Sequence, residues 1–201
     1  MPNISSKKDF LDALEKFTYS NNNVNFTDSF PSNKIKIEET EEDGKGEIYI
    51  DITSYSSHNI FFIKINHLSV HAIGKKKNHN DGIVLKVNLS EMKISVFLFE
   101  LKKQLRFNKL EKAAIQLTSA YKFIKYMQFE ECFEVDYQFH AVYETNNLPR
   151  DADSVKTFTR YQQNLFNSVF ENKSTIPLLI PFCSFKEFNF KQISFGSTIN
   201  I

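Results

Sequence analysis

The chain has 201 residues, 41% of them hydrophobic, and a net charge of +1, enough to bury a sizeable core within one domain. Its two cysteines, Cys132 and Cys183, have no metal-ligand spacing to each other or to a histidine, which argues against a disulfide or zinc scaffold and favours a reducing cytoplasm. The polar N-terminus and the prolines in the most apolar window, residues 176–182, leave neither a signal peptide nor a membrane span to be expected.

The small net charge hides a division. Glu38, Glu39, Glu41, Glu42 and Asp43 lie before the expected core, whereas Lys75, Lys76 and Lys77 and the lysines from 102 to 109 lie within it. Local charge therefore matters more than the total. Aromatic usage is lopsided, with 21 Phe, 8 Tyr and no Trp, a composition bias that serves core packing.

Ser6-Lys7-Lys8-Asp9 has the form of a helix start, with Phe10, Leu14 and Phe17 following at helical spacing. From Thr18 to Gly46 the chain is rich in Asn, Ser, Asp, Glu and Pro and reads as a loop or insertion. Ile48, Ile50 and Ile52 alternate with polar neighbours, and a β-rich run covers residues 60–73, giving two expected strands. A polar, basic loop over 74–82 then leads into Ile83-Val84-Leu85-Lys86-Val87. A turn at 88–93 joins that run to 94–101, a hairpin pattern.

Residues 109–128 place Leu110, Ala113, Leu117, Ala120, Ile124 and Met127 on one helical stripe. Residues 133–143 alternate as a further strand, with Val135, Tyr137, Phe139 and Ala141 opposed to Asp136, Gln138 and His140. After Pro149, a weaker helical pattern (Val155, Phe158, Leu165, Val169) precedes strand-like runs at 178–182 and 188–195. This extension, from about residue 150 to 201, is expected to be α+β.

Glu100 and Lys102 are two apart in the second hairpin strand, so their side chains leave one face about 6 to 7 Å apart. Asp81 precedes the first strand, and a tight pairing sets it beside Glu100, although sequence does not fix that register. Two carboxylates form an oxygen site suited to Mg²⁺. A neighbouring lysine orients water and offsets charge on a phosphoryl group, and Lys75, Lys76 and Lys77 supply a basic entrance for a polyanion.

These residues resemble the PD-(D/E)XK, or restriction-endonuclease-like, nuclease superfamily. The matching segments are Asn80-Asp81-Gly82-Ile83-Val84, Phe97-Leu98-Phe99-Glu100-Leu101-Lys102, the helix containing Ala114-Ile115-Gln116-Leu117-Thr118-Ser119-Ala120-Tyr121, and the strand after it. The resemblance spans roughly residues 47–144, and Asn80 stands where the nominal Pro would be. It implies an α/β fold with an αβββαβ core, its mixed central sheet flanked by helices. It implies that Asp81 and Glu100 ligate Mg²⁺ or Mn²⁺, that Lys102 activates water, and that Gln116 lies close to the site. Glu15 is matched to an extra acid found in some branches. The implied activity is phosphodiester hydrolysis in DNA more than RNA, as the effector of a bacterial defence or restriction module, with a homodimer or a protein partner compatible. Lys75, Lys76, Lys77, His79, Lys103 and Arg106 are the candidate nucleic-acid contacts.

Plainer readings stand beside these. Asp81-Gly82 is a common turn dipeptide, and Glu100 could simply pair with Lys102 or Lys86 on a sheet face. The same fold could also act without catalysis, as a nucleic-acid-binding or protein-interaction module.

Overall fold

A computed structural model describes residues 4, 6–19, 24–30, 32–39, 46–55, 58–65, 81–147, 163, 175–178, 186–192 and 194–201. Helix α1 (Lys7–Tyr19) begins where the sequence signals it. The Asp9 amide donates to Ser6 Oγ at 3.1 Å, and that hydroxyl donates to Asp9 Oδ2 at 2.8 Å, so side chains take up groups a helix start leaves open.

Strands β1 (Val24–Thr27), β2 (Lys34–Glu39), β3 (Gly46–Asp51) and β4 (Asn59–Ile65) follow. The stretch expected as a loop or insertion therefore carries two strands. Its turn-forming composition masks the alternation Ile35, Ile37, Glu39, whose side chains are all buried. On the exposed side of β2, Glu38 stands opposite Glu47. That like-charge pair is offset by Lys36, which reaches both acids, and by Lys64 at 3.8 Å from Glu38.

Strands β5 (Gly82–Asn88) and β6 (Lys93–Leu105) form the expected hairpin. Asn88 Oδ1 accepts from the Glu91 amide at 3.2 Å and from Ser90 Oγ at 2.7 Å, the local bonding that makes Asn a turn residue. Helix α2 (Phe107–Tyr126) then returns the chain to β7 (Glu134–Asn146), which pairs parallel to β6, and such a pairing needs a crossover of this kind. The last described strands are β8 (Thr175–Leu178), β9 (Lys186–Gln192) and β10 (Thr198–Asn200).

The principal sheet is mixed, in the order β1-β4-β5-β6-β7-β9-β8, and a second sheet has the order β10-β3-β2. On one face of the principal sheet, Ile83, Leu85, Val96, Leu98, Phe139 and Ala141 pack with Phe10 and Leu14 of α1 and with Leu110, Leu117 and Ile124 of α2. The other face packs Val84, Phe97, Phe99, Leu101 and Val142 against Ile35, Ile37, Ile48, Ile50 and Ile199 of the second sheet. Both faces of β5 and β6 are thus covered, which is why those strands read as nearly unbroken apolar runs.

The architecture is α/β, with mixed sheets and two helices among the described residues. The order α1, β4, β5, β6, α2, β7 is compatible with the expected αβββαβ succession. Sequence assigned the 48–52 run to the same core, but β3 lies in the second sheet. The helical pattern after Pro149 falls outside the described residues apart from Gln163, as do residues 66–73 of the second expected strand. In the C-terminal extension β9 adds to the principal sheet and β10 to the second.

Gly82 is hemmed in by Phe62 of the neighbouring strand and by Ile37 of the second sheet. A Cβ there would lie 2.7 Å from Phe62 Cε2 and 3.2 Å from Ile37 Cγ2, closer than a methyl group and its neighbours tolerate. Gly82→Ala is expected to lower stability by about 1–3 kcal/mol, read from the urea midpoint at unchanged slope.

Candidate metal centre

The hairpin register decides how the candidate residues meet. Gly82 pairs with Phe99, and the Asp81 amide donates to the Phe99 carbonyl at 3.1 Å. Asp81 thereby lies level with Glu100. The described pairing of β5 with β6 ends at Phe99, and Asp81 Oδ2 accepts the Leu101 amide at 2.6 Å. The turn reading and the ligand reading of Asp81 thus describe one side chain, which terminates the ladder and is held rigidly by doing so.

Alternation along β6 sends Phe97, Phe99 and Leu101 toward the second sheet and Val96 and Leu98 toward the helices, so Glu100 and Lys102 share the helix-side face. Lys102 Nζ pairs with Glu100 Oε1 and lies 2.8 Å from Glu39 Oε2. The alternative partner Lys86 is engaged elsewhere, with Nζ 4.4 Å from the centroid of the Tyr55 ring.

Glu39 is the residue that sequence reading passed over. It closes β2, two positions beyond the Ile37 that packs over Gly82, and so stands just past the place where β5 begins. The signal was present in the period-two run Lys34–Glu39, where Glu39 falls in phase with Ile35 and Ile37, yet it was counted into an acidic stretch outside the core. Glu15, the acid matched to this role, is exposed on α1, and the acidic cluster contains Glu39 in its place.

Relative exposure is 6% for Glu39, 8% for Asp81, 0% for Glu100 and 5% for Lys102. One carboxylate oxygen from each of Glu39, Asp81 and Glu100 lies within 4.8 Å of the others. This buried trio could hold a metal ion, and an all-oxygen donor set suits a hard cation. Glu100 Oε2 is buried and makes no hydrogen bond to any described residue, leaving coordination capacity inside the cluster.

Burial raises the Glu100 pKa well above the ordinary carboxylate range, and the neighbouring Asp81 charge pushes it further the same way. Burial opposes the charge on Lys102, but Glu100, Asp81 and Glu39 outweigh it and hold the ammonium charged.

Gln116 is 3% exposed on α2, on the flank of the buried stripe. Lys103 and Arg106 are exposed near the end of β6. Lys75, Lys76, Lys77 and His79 lie outside the described residues. His140 is buried and stacks on Phe99, with centroids 4.9 Å apart. Among the described residues, no helix is long and apolar enough to cross a membrane. Comparison with protein-family models, with curated proteins and with solved structures found no match to this chain.

The raised Glu100 pKa has a thermodynamic signature. The folded protein keeps this proton to higher pH than the unfolded chain, whose glutamates titrate near about 4.3. Metal-free stability therefore declines as pH rises from that value through the raised folded-state one. Glu100→Gln is expected to flatten this decline, and a saturating divalent cation to reverse it, both read from urea midpoints between about pH 5 and about pH 8.

Proposed function

We propose that this chain is a Mg²⁺-dependent nuclease that hydrolyses phosphodiester bonds of DNA. The observation that carries the reading is the hairpin register, which sets Asp81 level with Glu100 and leaves Lys102 on the same face as Glu100. The sequence likeness to the PD-(D/E)XK superfamily required those three side chains to meet, and it did not determine the register.

Asp81, Glu100 and Glu39 would hold the cation. When bound, Mg²⁺ supplies positive charge against the phosphoryl oxygens and against the charge that grows on them as the bond breaks. Asp81 is fixed for its part by the Leu101 amide, and Glu100 by its place opposite Ala141 in the β6–β7 pairing, one residue past the end of the β5 ladder. Lys102 would orient the water that adds to phosphorus as the bond to the leaving sugar oxygen breaks, that oxygen taking up a proton from solvent, and its ammonium would offset the charge of the five-coordinate phosphorus. Lys103 and Arg106 are suited to backbone phosphates, which a polyanionic substrate presents at regular intervals.

DNA as substrate, a cytoplasmic location and a role as the effector of a bacterial defence or restriction module follow from the family likeness and belong to this proposal. A second reading, a binding module on the same fold without turnover, is favoured by one observation: Lys102 is buried and engaged by two acids, as in a purely structural ion cluster.

The two readings part on turnover. With Mg²⁺ or Mn²⁺ the protein is expected to nick supercoiled plasmid, and EDTA to stop it. Asp81→Ala, Glu100→Ala and Lys102→Ala are each expected to lower the rate by about 10²- to 10³-fold or more. Full activity in all three variants would remove the site assignment. Salt-sensitive DNA binding with no cleavage under any divalent ion would establish the second reading.

A further inference from the structure

Lys102 occupies the same cluster that could hold a cation. Its Nζ pairs with Glu100 Oε1 and lies 2.8 Å from Glu39 Oε2, and both acids belong to the trio whose oxygens lie within 4.8 Å of one another. An ammonium bonds carboxylate oxygens at about 2.7–2.9 Å, whereas Mg²⁺ requires about 2.0–2.1 Å and close to octahedral geometry. The ammonium and an entering divalent ion would draw on the same two carboxylates, Glu39 and Glu100, and two cations a few ångströms apart in a buried site repel.

Glu100 Oε2, fully buried, has no hydrogen-bond partner among the described residues. A divalent ion in the cluster would give that oxygen a partner. The lysine stem is flexible enough to swing its charge away, since the ammonium is a point charge on four methylenes with no fixed fork to preserve.

We propose that Lys102 is a resident counter-ion of the metal-free site, and that an entering divalent cation displaces it from Glu39 and Glu100 and so releases its ammonium toward the substrate phosphate. The exchange rests on the metal-dependent reading above. It makes Glu39 a positioning residue for Lys102 before metal entry and a ligand after it. It also ties the second sheet to the chemistry, because β2 delivers Glu39. The lysine is masked until metal arrives, so the site is assembled for phosphate only in the metal-loaded protein.

The test is calorimetric titration of the full chain with Mn²⁺ alone, with circular dichroism melts to confirm folding. Lys102→Met removes the competing cation and is expected to bind Mn²⁺ about tenfold more tightly than wild type while losing cleavage. Lys102→Arg keeps the charge and is expected to bind close to wild type. Glu39→Gln is expected to bind about tenfold more weakly. A second readout needs no substitution: in protein carrying isotope-labelled lysine, saturating Mg²⁺ shifts the Lys102 ε-methylene resonance away from its ion-paired position.

An unmoved resonance, a Lys102→Met affinity equal to or below wild type, or an unaltered Glu39→Gln affinity would each overturn the exchange, as would a wild-type chain that binds no Mn²⁺. Tighter Mn²⁺ binding by Lys102→Met in a protein that never cleaves DNA would uphold the exchange and refute the nuclease reading. Cleavage by wild type with no effect of Lys102→Met on Mn²⁺ affinity would do the reverse.

Discussion

Strand β6 runs for 13 residues and its antiparallel neighbour β5 for 7, so among the described residues part of β6 has a strand partner only on its β7 side. A buried strand cannot leave its amides unpaired without cost. At the first such position the Leu101 amide is taken by the Asp81 carboxylate, and the features around the centre follow from that bond. The described β5 ladder ends there, at Gly82, which leaves a notch among the described strands beside the last residues of β6. At that notch β2 of the opposite layer comes close enough for Ile37 to lie against Gly82 and for Glu39 to reach Lys102.

The cluster in that notch is an energetic liability for the folded state. Removing charges from water is expensive, and the mutual attraction of buried ions often fails to repay it. Glu100 carries the largest share, since it is wholly inaccessible and its Oε2 makes no hydrogen bond to a described residue. Stability comes from elsewhere: from the helix-side core built on Phe10, Leu117, Ile124 and Phe139, and from the layer of isoleucines between the sheets. Fold and site therefore make opposite demands on the same strands, and the apolar cover on both faces of β5 and β6 is what lets the ionic cluster persist.

Much of this was legible in the residues. The hairpin, the stripe of α2 and the first helix announce themselves through period and capping chemistry, because in each the local pattern and the tertiary burial agree. The shared face of Glu100 and Lys102 follows from strand geometry alone. What sequence could not supply was long-range. Nothing local says that β2 and β3 leave the principal sheet for a second one, because both kinds of sheet ask for the same alternation. Glu39 was missed for a related reason: its burial depends on a notch made by residues more than forty positions away, while its neighbours Glu38, Glu41, Glu42 and Asp43 advertise a solvated acidic run. The burial of Gln116 and His140 depends on long-range packing in the same way.

The bond between Asp81 and the Leu101 amide bears on how relatives of this chain would be read. A relative that held no metal would still need an acceptor at position 81 to finish its sheet, and Asp or Asn would serve. An acid there reports on architecture as much as on chemistry. Glu100 closes no ladder with its side chain and costs stability where it stands, so a relative in which it had no ligand role would gain by exchanging it for an apolar residue. Of the two carboxylates, Glu100 is the one whose retention would speak for function.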